Sequence, residues 1–274
     1  MAMDARAFSK VLTDYVRPHS FPIAVKMLKE GETPPARAKR PLKDFKHPIT
    51  LCQGMAIARH IGWTVYMDRE DQACVLGATA MGFEKLHPYY LEGNLCEQFY
   101  TESKEAGARM EAHVPRFAPG SYAGMLVSAL ERAEFEPDVF ALYGDSAQIM
   151  RMVSASLWKS GGRVESSSEA RLDCADIVQR AMITKKPAYV LPCNGDRVFG
   201  MVQDGEMAFS APWSSAEEIA HGLEATHKAG LRYPIPKQVA FLPTFPASYD
   251  KLWQMLGDEG TGPDKLGADT DHEP

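Results

Sequence analysis

The chain has 274 residues, of which 45% are apolar and 24% charged, with a formal net charge of −6. Such a length allows one large domain or two small ones around a sizeable core. The acidic balance excludes the global basic footprint that phosphate-backbone binding requires, so no nucleic-acid partner is expected.

The first element is a helix over residues 4–17, stopped by Pro18, and "FPIAVKML" (21–28) follows as a strand. The N-terminal stretch carries Asp4, Arg6, Lys10 and Asp14 in place of a signal-peptide apolar run. No stretch approaches about 18 apolar residues, so no membrane association is expected and the protein reads as cytoplasmic. Residues 30–48, "EGETPPARAKRPLKDFKHP", form a long surface loop rich in Pro and positive charge. A helix from Leu51 to about Gly62 leads to the strand "WTVYM" (63–67). The run "DREDQACVLGATAMGFE" is then a close-passing loop or a tightly packed helix.

Residues 94–111 read as helix, "YAGMLVSAL" (122–130) as strand or helix, "DVFALYG" (138–144) as strand, and 146–159 as a helix that Gly161-Gly162 stops. A helix over about 174–184, the strand "PAYVLPC" (187–193) and a helix at about 215–229 complete the pattern. The Gly/Asp-rich tail 257–274 is expected to be disordered. This alternation predicts an α/β or α+β fold, a mixed sheet with flanking helices. The expected division is an N-terminal half over 1–120 and a C-terminal half over 121–250. Strand, helix, strand and cysteine recur in the same order in both halves, which suggests an internal duplication, although any α/β chain repeats strand and helix.

Five cysteines, Cys52, Cys74, Cys96, Cys174 and Cys193, are the main chemical signal. In a reducing compartment they read as free thiols, metal ligands or redox groups rather than a disulfide framework. "TLCQGMAIAR" and "LDCADIVQRA" each put a cysteine in the first turn of a helix. Thr50 with Gln53 and Asp173 with Asp176 serve as capping pairs there. Unsatisfied N–H groups and the positive end of the helix dipole favour thiolate at such a position. A strand that folds back along its helix returns its end to that helix start. Cys52 is therefore expected beside Cys74, and Cys174 beside Cys193. Compact C-x-x-C knuckles are absent, which excludes a zinc ribbon or a ferredoxin-type run. Cys52, Cys74 and Cys96, spaced by 21 intervening residues each, with Cys174 or Cys193, could still be gathered by the fold around an iron–sulfur cluster or a zinc ion. The competing reading is that free cysteines behave as small buried hydrophobes that hold no metal. The histidines, His60, His87, His113, His221 and His227, read as surface or packing residues.

The turn "CNGDR" (193–197) contains Asn194-Gly195, a type I′ hairpin signal, so "RVFGMV" is expected antiparallel to "AYVLP". Arg197 would emerge near Cys193 and hold a carboxylate or phosphate by its planar fork, with Asn194 and Gly195 lining the site. The basic loop, Arg40 and Lys43 above all, could steer a small anionic molecule, against the alternative of a solvated charge run. "YGDSAQ" (143–148) offers a helix N-terminus to an anion, without any nucleotide-binding glycine pattern.

The stretches "AKRPLKDFKHPITLCQGMAIAR", "WTVYMDREDQACVLGATAMGFE", "EPDVFALYGDSAQIMRMV" and "VLPCNGDRVFG" resemble the uncharacterised ArCR family of archaea and bacteria over roughly residues 8–230. The resemblance implies the fold and marks Cys52, Cys74, Cys174, Cys193, Gly195 and Arg197 as family positions. It implies no activity. The family's frequency in anaerobes favours oxygen-sensitive metal chemistry. Two functions are carried forward: a cysteine-ligated metal or iron–sulfur protein acting on a small anionic substrate, and a non-enzymatic ligand- or partner-binding module, expected to be a homodimer.

Overall fold

Six strands carry almost uninterrupted burial, because helices cover both of their faces. They are β1 (Ile23–Leu28), β2 (Val65–Met67), β3 (Gly124–Ala129), β4 (Val139–Gly144), β5 (Ala188–Val190) and β6 (Met207–Pro212). The computed structural model describes residues 3–237 and 243–256, and the 257–274 tail lies outside them. The strands form one sheet in the order β2-β3-β1-β4-β6-β5. Every pairing is antiparallel, with Ile23 opposite Ala129 and Ala141, Val65 opposite Val127, Val139 opposite Pro212, and Ala188 opposite Ser210. The expected helix–sheet architecture is present, with a wholly antiparallel sheet in place of a mixed one.

The helices are α1 (Ala5–Tyr15), α2 (Leu51–His60), α3 (Val75–Ala80), α4 (Pro88–Leu91), α5 (Lys104–His113), α6 (Ser146–Ser156), α7 (Asp173–Thr184), α8 (Asn194–Phe199) and α9 (Ala216–Lys228). Alternate residues of the strands separate two cores. Ile23, Val25 and Met27 of β1 pack with Leu51 and Met55 of α2 and with Ile177 and Val178 of α7. Ala24 faces the other way, where Phe140 and Phe209 meet Phe8 of α1, Ile149 of α6 and Leu223 of α9. The Phe8 and Phe140 rings meet edge to face at 4.7 Å, and each buried ring contributes on the order of 2 kcal/mol through its apolar area.

The sheet order has a second property. Read outward from the central β1–β4 pair, it is β1-β3-β2 on one side and β4-β6-β5 on the other, with strands of six, six and three residues on each side. Between matched strands lie matched helices: α2 with α7, and the six-residue α3 with the six-residue α8. Each short helix starts immediately after a cysteine, Cys74 for α3 and Cys193 for α8.

The described residues divide into two compact units, one ending at Pro234 and one starting at Ile235. Within the second, α10 (Ala247–Leu256) carries Tyr249, whose ring stacks on Phe245. No helix among the described residues is long and apolar enough to cross a membrane.

Several local expectations are corrected. The 30–48 segment holds a π-helical turn, Pro41–Phe45, and its Lys39 bridges Val65 beside β2. The helix expected over 94–111 begins only at Lys104. Asn194-Gly195 opens α8 instead of a hairpin, and the partner of β5 is β6. Gly195 lacks the positive φ that a type I′ turn needs. Cys193 instead takes an extended cap conformation, and its N–H donates to Asp196 Oδ2 at 3.1 Å. An acidic side chain at the third helical residue thus converts a turn signal into a helix start.

Candidate metal centre

Both thiols predicted at helix starts occupy the second position of their helices. Thr50 caps α2 as expected: Oγ1 accepts the Gln53 N–H at 3.2 Å, while Gln53 Oε1 accepts the Thr50 N–H at 2.8 Å. Asp173 is not a cap. It is the first residue of α7, preceded by Leu172 in the left-handed region at φ 59°, and its Oδ1 accepts the Ser168 hydroxyl at 3.0 Å.

Because β1 and β4 are neighbours, α2 and α7 lie side by side on one face of the sheet. The pair that closes is therefore Cys52 with Cys174, across the two halves. α8 packs on α2 in turn. Gly200 at its end sits so close that a Cβ there would lie 3.0 Å from Cys52 Cβ, so this approach needs a residue without a side chain. It brings Asp196 into the same place: the sulfurs of Cys52 and Cys174 and an Asp196 carboxylate oxygen lie within 4.8 Å of one another. Asp173, Cys193 and Asp196 form a second such group with the same spacing, so Asp196 belongs to both.

The surroundings are dry. Cys52 is 6% exposed, Cys174 7% and Asp196 0%. Oδ1 of Asp196 and Oδ2 of Asp173 are buried without a hydrogen-bond partner, which costs free energy unless something meets them. The neighbouring Cys174 thiol lowers the Cys52 pKa, while Cys52 and burial raise that of Cys174 well above the ordinary value. Thr50 Oγ1 lies 3.1 Å from Cys52 Sγ, and the Gly195 carbonyl 3.6 Å. Burial raises the carboxyls too, Asp173 to about 7 and Asp196 upward, and pushes Cys193 to about 12.

One buried cation tempers this negative cluster. Arg59, 1% exposed, lies over the Tyr143 ring at 3.7 Å, pairs with Glu206 at 2.8 Å and lowers the Asp196 pKa through its charge. Its Nη1 has no hydrogen-bond partner.

A family model for the uncharacterised ArCR proteins matches residues 11–222. The chain belongs to the ArCR family. Its sequence is 26% identical over 205 residues to an uncharacterised protein of Methanocaldococcus jannaschii, an alignment covering 74% of this chain and 86% of that one. No solved structure matches the chain. Family membership thus places the fold among relatives whose activity is equally open, and the chemistry must be read from the residues.

The other predicted positions have different partners. Cys74 caps α3, its sulfur accepting the Gly77 N–H at 3.4 Å. Cys96 is fully buried beside Arg171, whose Nη1 donates to its sulfur at 2.7 Å, while its own thiol donates to Glu111 Oε1 at 3.6 Å. Arg197 donates through Nη1 to the Gln203 carbonyl at 2.5 Å, and its charge lowers the Asp196 pKa. Asn194 is exposed at the start of α8. Arg40 is held by Asp68 and by Asp71, the latter at 3.1 Å, and Lys39 by Asp44 at 3.6 Å. Lys43 is exposed. The basic loop is therefore largely neutralised by acids of its own surroundings. Asp145 occupies the N-terminus of α6 expected to receive an anion, capping Gln148 N–H at 2.8 Å and accepting the Tyr233 hydroxyl at 3.0 Å.

Sequence reasoning missed Asp196 and Asp173 as members of the site, Arg59 as its buried cation, and Arg171 as the buried partner of Cys96 and Glu111. The three-residue spacing from Cys193 to Asp196, C-x-x-D at the end of a strand, was the available signal for Asp196. Arg171 had none, since it turns inward between Ala170 and Leu172, both at positive φ.

Proposed function

We propose that this protein is a cysteine-ligated metal protein that holds a transition-metal ion between Cys52, Cys174 and Asp196 and uses it in catalysis or redox chemistry on a small anionic substrate. The observation that carries this reading is the mutual approach of two thiols and a carboxylate within 4.8 Å in a dry site, with the carboxylate's Oδ1 left unpartnered. Around one tetrahedral ion with metal–sulfur bonds of about 2.3 Å, ligand sulfurs stand about 3.8 Å apart, so this spacing suits a mononuclear ion such as zinc. A cubane cluster puts its thiolates on different irons and spreads them further, and a two-iron, two-sulfide cluster takes four ligands over two irons, two on each, so two thiols and one carboxylate make an iron–sulfur cluster the second choice.

Three protein donors leave one tetrahedral position for water or substrate, the arrangement of catalytic rather than structural zinc. Beside Cys96 lies a second buried cation, Arg171, 1% exposed, which pairs with Glu111 through Nη1 and keeps Nε and Nη2 unpartnered for an anionic substrate. Its guanidinium lies 5.4 Å from the Tyr100 ring centroid, and the Tyr100 hydroxyl feels the charges of both Cys193 and Arg171. The repeated connectivity supports a reading of the two halves as an internal duplication, with the Cys52–Cys174 pair where the halves meet.

Purification without oxygen followed by zinc, iron and acid-labile sulfide analysis is the test. About one ion per chain without sulfide supports the mononuclear reading, and iron with sulfide the cluster. Colourless, metal-free protein that takes up none of these ions in titration overturns both and leaves a binding module with structural cysteines.

A further inference from the structure

We infer that Asp173, Cys193 and Asp196 form a second divalent-cation site, joined to the first through the shared Asp196 carboxylate, so that the centre is dinuclear. The inference rests on the metal reading above.

The two halves provide an internal comparison. By element position, α2 matches α7 and α3 matches α8, so Leu51, Cys74 and Gly77 stand where Asp173, Cys193 and Asp196 stand in the second half. Those first-half positions converge as well: a Cβ on Gly77 would lie 3.4 Å from Leu51 Cβ and 3.8 Å from Cys74 Cβ. The same backbone arrangement therefore closes with Leu and Gly in place of two carboxylates, and Cys74 caps its helix alone. The fold does not require the acids.

Their cost is plain. Asp173 and Asp196 are fully buried, each has one carboxylate oxygen without a partner, and neither forms an ion pair among the described residues. Burying like charges a few ångströms apart is strongly unfavourable without a cation between them. When the ligands are deprotonated, the five donors Cys52, Cys174, Cys193, Asp173 and Asp196 carry five negative charges. One divalent ion leaves three of these uncompensated and two leave one, beside the buried Arg59. A carboxylate with one oxygen toward each of two ions is a common bridge in dinuclear sites, where the ions stand about 3.5–4 Å apart.

The donor sets also differ. Two thiolates and one carboxylate form the softer site, and one thiolate with two carboxylates the harder one, so the second should bind a zinc-like ion more weakly and exchange it faster.

The test is a titration of chelator-treated, reduced full-length protein with Co2+ and with Zn2+, read by calorimetry and by metal content after desalting. Two ions per chain are expected, with magnetic coupling between the two Co2+ ions seen by electron paramagnetic resonance. Asp173→Asn should reduce the stoichiometry to one and abolish the coupling while leaving thiolate-to-cobalt charge transfer in place. Cys193→Ser, at a half-buried position, provides the same reading should the Asp173 variant fold poorly. One ion in the wild-type chain, unchanged in either variant, overturns the second site and leaves the mononuclear centre standing. No binding at all overturns both.

Discussion

Replacing Cys174 by Ser removes one of the two thiolates that meet between α2 and α7, and the consequence can be worked through to a melting temperature. Thiolate-rich zinc sites bind with about 10–16 kcal/mol. Shared over four ligand positions, this assigns about 2.5–4 kcal/mol to each, which is a loss of about 10²- to 10³-fold in affinity. An ion present at 100 times its Kd stabilises the native state by about 2.7 kcal/mol. For a unit the size of Met1–Pro234 that raises Tm by about 5–11 °C. At the same free metal concentration, a variant weakened 100-fold is half saturated and gains about 0.4 kcal/mol, about 1–2 °C. The measurement is the difference between Zn2+ and chelator for each protein, which cancels the effect of the Ser itself on packing. A metal-induced shift as large in Cys174→Ser as in the wild type would refute the ligand assignment.

Cys96→Ser should leave metal content unchanged, since its partners are Arg171 and Glu111, and metal analysis of that variant checks the separation of the two cysteine groups. Thr50→Ala removes the α2 cap and the hydroxyl 3.1 Å from Cys52 Sγ, and should cost about 0.5–2 kcal/mol in urea denaturation. Gly222→Ala drives a methyl of α9 into the Ala155 carbonyl of α6 and should cost about 1–3 kcal/mol by the same assay. In metal-free protein, burial raises the Asp176 pKa from 3.8 to about 7. The folded state then holds a proton that the unfolded chain has lost, so this group's contribution falls as pH rises from about 4 to about 7. Asp176→Asn should therefore gain stability relative to the wild type between pH 5 and pH 7.5, measured with chelator present, and an unchanged difference would refute the assignment.

The elements were legible in the sequence because their signals are local. Thr50 and Gln53 sit three residues apart at the start of α2, Pro18 follows α1, and the strands are runs of β-branched and apolar residues, so capping geometry and side-chain shape suffice to mark them. Asn194-Gly195 misled because the dipeptide suits both a tight turn and the first residues of a helix. The choice lay with Asp196, which closes on the Cys193 N–H. The basic loop misled for a related reason: Arg40 is neutralised by Asp68 and Asp71, about 30 residues away along the chain, and charge counted along the sequence cannot register that pairing.

The sequence by itself determined that Cys52 and Cys174 lie in the first turn of a helix, and the Thr50–Gln53 cap fixed Cys52 in the second position of α2, whereas Asp173, read as the cap of α7, is its first residue. Tertiary structure alone decided which thiols meet. Pairing along each half put Cys52 with Cys74 and Cys174 with Cys193, and the return of each strand does bring Cys74 toward the start of α2 and Cys193 to Asp173 at the start of α7. The antiparallel β1–β4 contact adds what that pairing left out: it sets α2 beside α7, and Gly200 lets α8 carry Asp196 onto both thiols. Which groups converge across the halves is settled by sheet order and close packing, since Cys52 lies more than a hundred positions from Cys174 and from Asp196 and no local pattern encodes that contact.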